Sequence, residues 1–350
     1  MGWRWTLLLA PVVVIALLLP GCGGGEEAQH DPALVGMWSQ TAQTDNGTPV
    51  ALTEEFLVTL NEEGTYRADA DAAGIINWET GTWSTSGDSL AAVCTDSSVP
   101  SDIGTHRDFV YEVATGTLTL TQTELVDSVT HTYVSTFRLL AVDPQLVGGW
   151  MQTSLTEDGT PVVPLPNFVL TVDTDGTYRA DTEDEAGPRQ ETGQWGAYDT
   201  TLVAIARTAT SAGDVGKQHI AAYVVSGESL TLTYTDTEDS VEHDYVAVFS
   251  RLALDANLVG RWEEILRTEN GVDVSAEQNF LLTVNDDGTY RADMDEFTSI
   301  SWETGTWGTA GTTLVAHCTD ASSASDIGKT HITQYGISGD TLTLTYTDYY

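Results

Sequence analysis

Positive charge is scarce in this sequence. Its 350 residues include 13 lysines and arginines against 52 aspartates and glutamates, which gives a formal net charge of −39, and only Lys217 and Lys329 are lysines. Nucleic acid and anionic membrane surfaces attract proteins through concentrated positive charge. The composition therefore argues against nucleic acid as a partner. It is typical of a soluble extracellular surface or of adaptation to high salinity.

Helical periodicity is also missing. After residue 21, no long stretch repeats its apolar residues at the 3.6-residue period of a helix. Threonine, valine, tyrosine and tryptophan instead alternate with polar residues between short turns that contain glycine, a pattern that indicates strands. The sequence therefore predicts an all-β protein.

One strand hairpin occurs three times. Each copy reads Glu or Asp-Gly-Thr-Tyr-Arg-Ala-Asp and is followed by Glu-Thr-Gly-x-Trp. The closing residues Trp83, Trp195 and Trp307 are evenly spaced along the chain. This even spacing predicts three tandem domains, at residues 31–142, 143–254 and 255–350, each of a size that can bury its own core.

Cysteine, clustered histidine and catalytic motifs are sparse or missing. Cys94 and Cys318 stand at equivalent positions of repeats one and three, so we expect two buried thiols and not a disulfide. The seven histidines are not grouped at the spacing of metal ligands. No nucleophile motif or phosphate-binding loop is found. The sequence therefore predicts no enzyme, no metal site and no cofactor.

Residues 1–21 are a predicted signal peptide, with one positive charge before an apolar run at 7–19. The run ends in Leu19-Pro20-Gly21-Cys22, which resembles the lipobox of bacterial lipoproteins; a plain secretory signal is the alternative. The resemblance implies that Cys22 is the lipid attachment site and that 22–30 is a flexible tether. It also implies an extracytoplasmic protein anchored to the cell envelope through Cys22, in the outer membrane if the host is Gram-negative.

Turn residues and alternation predict eight strands in repeat one. These are residues 34–44, 55–60, 65–71, 75–84, 89–96, 106–113, 117–124 and 129–140. Eight consecutive antiparallel strands remove both edges of their sheet by closing into an up-and-down barrel. A two-sheet sandwich is the alternative, but it needs longer connections than the sequence provides.

Four short patterns in each repeat resemble the bacterial lipocalin-like domains of the calycin group. They are Gly-x-Trp on the first strand, Gly-Thr-Tyr at the hairpin, Gly-x-Trp after it, and Leu-Thr-Leu-Thr near the end. The resemblance covers residues 31–350 and implies that the first-strand tryptophans, Trp38, Trp150 and Trp262, close one barrel end. It also implies an arginine of the last strand packed across that ring, although Arg138 and Arg251 are out of register with each other.

A glutamate lies four residues before each closing tryptophan and therefore shares its strand face. The candidate ligand-binding residues are Glu79, Trp83, Glu191, Trp195, Glu303 and Trp307. If this face points inward, the carboxylate can fix the polar end of a ligand. The alternative is a structural ion pair with Arg67, Arg179 or Arg291 on the preceding strand.

Repeat three ends at Tyr350, before a counterpart of the eighth strand. The sequence predicts that the third barrel lacks its last strand and that two strand edges stay unpaired. Such edges are templates for association. We expect either strand-mediated self-association through repeat three or a sequence that ends early.

Two functions from different classes remain open on this evidence. The first is a cell-envelope lipoprotein whose lipocalin-like barrels bind a small apolar ligand or a surface molecule. The alternative is a structural or protein-interaction module with filled barrels. Barrels of eight strands are found in both forms.

Overall fold

The computed structural model describes residues 29–345 except 73–74, 127, 164–166, 185–186, 239–240, 270–271, 275–277 and 297–298. The predicted signal peptide and Cys22 lie outside these residues. The described chain is nearly all strand, and its helices are the 3-10 turns Pro32–Leu34, Pro100–Asp102 and Ala212–Asp214. The all-β prediction is confirmed. Within these ranges no helix has the length and apolar character needed to cross a membrane.

The first repeat forms a closed barrel. Its strands are β1 (Gly36–Asp45), β2 (Thr48–Val50), β3 (Glu55–Leu60), β4 (Thr65–Ala72), β5 (Ile75–Ser86), β6 (Ser89–Ser97), β7 (His106–Ala114), β8 (Thr117–Val126) and β9 (Val129–Leu139). Neighbours pair in the order β2-β1-β3-β4-β5-β6-β7-β8-β9, and β1 also pairs with β9. Eight strands therefore close an antiparallel barrel, with β2 as a short extra strand. All eight predicted strands are confirmed, with small differences at their ends.

The second repeat forms a second closed barrel of eight strands with the same order. Its strands are β10 (Gly148–Glu157), β11 (Thr160–Pro161), β12 (Asn167–Val172), β13 (Thr177–Asp184), β14 (Gly187–Tyr198), β15 (Thr201–Ala209), β16 (Gln218–Ser226), β17 (Ser229–Glu238) and β18 (Val241–Arg251). The pairing of β10 with β18 closes it. The up-and-down barrel was thus the right choice over the sandwich.

The third repeat forms a nearly closed barrel of seven strands. Its strands are β19 (Gly260–Glu263), β20 (Thr268–Glu269), β21 (Val272–Asp273), β22 (Gln278–Val284), β23 (Thr289–Glu296), β24 (Ser299–Ala310), β25 (Thr313–Ala321), β26 (Thr330–Ser338) and β27 (Thr341–Thr345). The sheet runs from β19 through β22 to β27, and β20 and β21 form a separate hairpin. Among the described residues, β19 and β27 are its two edges. Association of chains through these edges stays a prediction.

The glycine of the Glu-Thr-Gly-x-Trp motif is explained by a backbone contact. The pairing of β5 with β6 shifts its register between Thr80 and Gly81. A Cβ atom on Gly81 would overlap the carbonyl oxygen of Val93, and one on Gly305 would overlap that of His317. Because no side chain fits at this approach of two strands, the motif requires glycine.

The tryptophans are anchored in the barrel cores. The indole of Trp38 is fully buried and donates to the carbonyl oxygen of Leu34 at 2.8 Å. Trp150 and Trp262 donate in the same way to the residue four positions earlier. Trp83, with 2% exposure, donates to the carbonyl oxygens of Asn61 and Thr65 at 3.1 Å. The first-strand tryptophan therefore packs at the barrel end, as the resemblance implied.

The segment before each barrel is tied to the barrel by an isolated bridge. Ala141 and Ala197 exchange two backbone hydrogen bonds, of 3.0 and 2.8 Å. Ala253 and Thr309 exchange two more, of 2.9 and 2.7 Å. Gln29 bridges to Thr85 in the first barrel. Gln29, Ala141 and Ala253 stand at equivalent positions of the three copies. The bridge is therefore a structural feature that all three repeats share.

By their contacts the described residues fall into two compact units. One comprises the described part of Met1–Asp143 together with Gly193–Ile220, and the other comprises Pro144–Thr192 and the described part of Ala221–Tyr350. Residues 193–220 belong to the first unit because side chains of β14, β15 and β16 pack on the first barrel. The cluster there includes Leu57, Leu140, Val203 and Ile205. The predicted domain boundaries stay predictions.

The two tryptophans of β5 are predicted to differ in their effect on stability. Trp83→Ala should cost about 3–5 kcal/mol, because it empties a core site. Trp78 lies on the outer face under the Arg67 guanidinium, 5.3 Å from the ring centre. Trp78→Gln, which installs the residue found at Gln190, should cost less than about 1 kcal/mol. Urea unfolding of the first barrel measures both, and equal losses would contradict this assignment of faces.

Candidate functional site

The first barrel holds a charged group in its interior. The pairing of Ala68 with Glu79 turns Glu79 inward, on the same face as Trp83. The Tyr66 hydroxyl donates to Glu79 Oε1 at 3.0 Å, and Arg107 Nη1 donates to the same oxygen at 2.5 Å. We call Tyr66, Glu79 and Arg107 the carboxylate centre of the first barrel.

The predicted pairing of Glu79 with Arg67 is wrong. Ala68, not Arg67, lies opposite Glu79, so Arg67 points to the outer face of the sheet. There its guanidinium pairs with Asp69 at 2.7 Å. Arg179 and Arg291 pair in the same way with Asp181 and Asp293.

The other two barrels contain related centres. In the third barrel, Tyr290 donates to Glu303 Oε1 at 3.0 Å, and His331 Nε2 lies 3.2 Å from Glu303 Oε2. In the second barrel, the Tyr178 hydroxyl donates to Glu191. Repeat two has His219 at the sequence position of Arg107 and His331. The partner of the glutamate at this position is therefore arginine in the first barrel and histidine in the third.

Burial and charge shift the proton equilibria of these groups. Burial, reinforced by the neighbouring glutamate, raises the pKa of Tyr66 and of Tyr290. Burial also raises the pKa of the Cys94 and Cys318 thiols, which are free and buried as predicted. A thiol with a raised pKa is a poor nucleophile. The tyrosines remain protonated donors, and the cysteines act as packing groups.

The histidine of the third barrel is coupled to its glutamate. The hydrogen bond to Glu303 raises the pKa of His331, although burial opposes this shift. Burial alone would raise the pKa of Glu303, but the hydrogen bond and charge of His331 lower it below its ordinary value. Each member of the pair therefore favours the charged form of the other.

The carboxylate centre lies between an apolar floor and a polar upper wall. On one side are the buried side chains of Trp38, Trp83, Leu118 and Phe137. Farther along β8 and β9, the inward side chains of Gln122 and Ser135 are polar and half-buried. The interior is thus filled at the tryptophan end and polar toward the other end.

The centre remains in contact with solvent. The side chains of Glu79 and Arg107 are 18% and 15% exposed. Both hydrogen bonds to Glu79 reach Oε1, and its Oε2 accepts none from the described residues. The Nδ2 atom of Asn77, two positions along the same inward face, is buried and lacks a partner among the described residues. A carboxylate oxygen and an amide donor in this interior therefore have no hydrogen-bond partner among the described residues.

The remaining candidate residues are placed as follows. Trp195 and Trp307 are buried, with 2% and 6% exposure, and Glu303 points inward with Trp307. The sequence placed glutamate and tryptophan on one face, and the structure turns that face inward. Arg107 was missed as the partner of Glu79 because it comes from β7, which is not adjacent to β5 in the sheet.

The arginine implied by the lipocalin resemblance is present in the second barrel. The Arg251 guanidinium lies 4.1 Å above the Trp150 ring and donates to the carbonyl oxygens of Val147 and Gln145. Trp150 is paired with Arg251 across β10 and β18. In the first barrel the corresponding partner of Trp38 is Leu139. The difference in register noted in the sequence is the reason that Arg138 does not take this position.

Among the described residues, one group has the make-up of a metal site: Glu157, Asp158 and His243. His243 Nδ1 lies 2.9 Å from Asp158 Oδ2 and 3.1 Å from Glu157 Oε1. Asp158 Oδ1 accepts from the backbone nitrogen of Asp244 at 2.9 Å, which with His243 lowers the pKa of Asp158. These bonds attach the end of β10 to β18, so the group has a structural explanation without a metal.

Comparisons with known proteins give little further information. No protein-family model and no curated protein matches the chain. A crystal structure of a protein of unknown function from the DUF3598 family, from Nostoc punctiforme, is similar with a TM-score of 0.20 and 13% identity over 63% of this chain and 97% of that chain. A likeness of this degree carries no argument about function.

The third barrel is predicted to lose stability as the pH rises. Because the folded state raises the pKa of His331 above its ordinary value of about 6.5, the pair stabilises the barrel below that pH. This contribution is lost as the pH rises through the raised value. Hydrogen exchange of β24 and β26 amides should therefore be faster, relative to intrinsic rates, at about pH 8 than at about pH 6.

His331→Arg is the matched control, since arginine occupies this position in the first barrel. It should remove the pH dependence while keeping the ion pair. Protection that is unchanged with pH in the unsubstituted protein would contradict the prediction. So would a His331 pKa, measured by NMR, at or below the ordinary value.

Proposed function

We propose that the protein is a lipid-anchored cell-envelope protein whose lipocalin-like barrels bind a small ligand with an apolar body and a polar end. The observation that carries this proposal is the carboxylate centre. It places a carboxylate that is hydrogen-bonded through one oxygen, Oε1, inside a barrel, above a floor of tryptophan, leucine and phenylalanine. Ligand sites commonly combine apolar walls with a few fixed polar groups.

The lipocalin-like assignment is supported by the barrel end as well as by the sequence patterns. The buried Trp38 and Trp150 and the Arg251 guanidinium above Trp150 agree with the features that the resemblance implied. The cation and indole attract each other through the ring quadrupole. This end is closed by packing, so a ligand would enter from the opposite end.

The chemistry of the centre suggests the polar end of the ligand. Glu79 Oε2 is an acceptor, and Asn77 Nδ2 is a donor. A hydroxyl, amide or amine can donate to the carboxylate, and a carbonyl or hydroxyl can accept from the amide. The small side chains of Ala68 and Ala70 on β4 face the same interior. An alcohol or amide of an apolar compound fits these groups best.

Anchoring is proposed from the Leu19-Pro20-Gly21-Cys22 segment alone. Acylation of Cys22 with two or three chains would hold the protein stably on a membrane, where one chain would not. The acidic composition agrees with an extracytoplasmic surface that avoids nonspecific binding. In a Gram-negative host we propose the outer membrane.

Binding is predicted to depend on the three inward glutamates. The protein with Cys22→Ser, produced in its native host, should carry co-purifying small molecules in native mass spectrometry. The variant Glu79→Gln, Glu191→Gln and Glu303→Gln should lose most of this added mass. A hydrogen bond to a charged group contributes about 1.5–3 kcal/mol, which corresponds to a roughly tenfold or greater loss of affinity.

A control variant removes three exposed acidic charges instead: Glu62→Gln, Glu112→Gln and Asp340→Asn. It should retain the bound mass. If the unsubstituted protein carries no small molecule, or if both variants lose it equally, the ligand-binding proposal is wrong. The alternative, a structural or interaction module with filled barrels, would then be favoured.

Anchoring is predicted to depend on Cys22. In the native host, the protein should fractionate with membranes and incorporate a fatty-acid label, and Cys22→Ser should do neither. Cys94→Ser provides the matched control, because this thiol is buried inside the first barrel. Membrane fractionation of the Cys22→Ser protein would contradict anchoring by acylation.

A further inference from the structure

The outer face of the first barrel makes a specific contact with strands of the next repeat. Leu57 on β3 is 1% exposed and packs in a cluster with Val203 and Ile205 of β15, both fully buried. Ile220 of β16 borders the same cluster. The contact is therefore made by one outward leucine and a group of aliphatic side chains.

Polar groups beside this cluster form hydrogen bonds and an ion pair between the same strands. Asp69, 1% exposed, accepts from Arg207 Nη1 at 2.8 Å and is also bound by Arg67. The Gln218 side chain donates to the carbonyl oxygens of Glu55 and Asp69 at 3.0 and 3.2 Å. A buried carboxylate between two arginines gives the contact a defined register.

The second and third repeats make the equivalent contact. Val169, at the position of Leu57, packs in a cluster with Val315 and Ile332, at the positions of Val203 and Ile220. Arg179 and Gln190 donate to the carbonyl oxygen of Gly328. The two contacts therefore share the same aliphatic positions, whereas Arg207 of the first contact is replaced by Thr319 in the second.

The third barrel presents the same face without a cover among the described residues. Leu281, Arg291, Asp293 and Trp302 stand where the first repeat has Leu57, Arg67, Asp69 and Trp78. The Arg291 guanidinium pairs with Asp293 at 2.6 Å and lies 5.1 Å from the Trp302 ring centre, as Arg67 does with Asp69 and Trp78. We call these four residues the third face.

Exposure distinguishes the third face from its two equivalents. The Asp293 side chain is 28% exposed, against 1% for Asp69 and 12% for Asp181. Leu281 is half-buried, whereas Leu57 and Val169 are 1% and 2% exposed. The ion pair and the stacked ring are thus preformed, and the apolar centre is accessible.

We propose that the third face docks a further barrel of this repeat type. The partner's outer strands would carry a valine and an isoleucine at the positions of Val203 and Ile220, and an arginine at the position of Arg207. The valine and isoleucine would cover Leu281, and the arginine would bind Asp293. This proposal is independent of any ligand in the barrel interior.

The chain's own first barrel does not meet this requirement. Its outward residues at the same three positions are Ala91, Thr95 and Asp108. Asp108 is exposed and would be brought to the aliphatic centre, close to Asp293. Desolvating a carboxylate beside a like charge is unfavourable. We infer that these residues keep identical copies from joining into open chains, which heterologous contacts otherwise produce.

The experiment converts the first barrel into a partner. Ala91→Val, Thr95→Arg and Asp108→Ile install the residues of the second repeat, and Leu281→Asp in the same chain blocks its own third face. Mixed with the unsubstituted protein, this chain should form a one-to-one complex of twice the monomer mass in sedimentation velocity. Circular dichroism of each chain alone confirms folding.

Two kinds of control separate docking from general stickiness. Replacing the unsubstituted partner with its Leu281→Asp or Asp293→Arg variant should abolish the complex. Moving the added isoleucine two outward positions along the same strand, with Glu112→Ile in place of Asp108→Ile, should also abolish it.

Three outcomes would overturn the proposal. They are no complex with the unsubstituted protein, a complex that persists with both blocked partners, or equal binding by the Glu112→Ile chain. Association of the unsubstituted protein through Leu281 would overturn the assigned role of Asp108.

Discussion

Closure of the sheet is the constraint on which the first two barrels depend. A strand edge is a row of unpaired donors and acceptors, and an up-and-down barrel removes it by pairing the first strand with the last. β1 closes the first barrel by pairing with two strands. Its residues Gly36 to Ser39 pair with β3, and its residues from Trp38 onward pair with β9. In the third repeat the described residues contain no closing strand, and β19 has only its first half, Gly260–Glu263. The first strand is thus long where a last strand pairs with it, as β9 does with β1, and short where the described residues contain no such strand.

The alternation of side chains lets one hairpin serve two purposes. On β4 and β5, Tyr66, Glu79 and Trp83 point into the barrel, while Arg67, Asp69 and Trp78 point out of it. The first set contributes to the carboxylate centre and its floor, and the second lies on the face that contacts the next repeat. Neither set can change its position without moving the other, because a shift by one residue exchanges the two faces. This accounts for the near-identity of the hairpin in all three repeats.

Much of the fold was predictable because its determinants are local. Turn glycines and alternating apolar residues lie within each strand or beside it, so the eight strands of the first repeat and the common strand face of Glu79 and Trp83 were expected. The partner of Glu79 was not expected. The alternation of side chains shows which residues point into the barrel, but it does not show which other strand places a residue at the same height in the interior. Arg67 was adjacent but on the wrong face, and Arg107 was two strands away. Arg207 and Asp69 form a contact between residues 138 positions apart. The residues around either of them in the sequence give no indication of such a contact.

The isolated bridges have a consequence for how this protein can be divided. Ala141 and Ala253 lie just before the boundaries suggested by the sequence, yet each completes a pair of hydrogen bonds in the barrel that follows. A fragment that begins at residue 143 or 255 would leave the amide of Ala197 or Thr309 without its partner. A fragment that contains one barrel should therefore begin before Gln29, Ala141 or Ala253. The repeating structural unit of this chain starts with the bridge residue and not with the first strand.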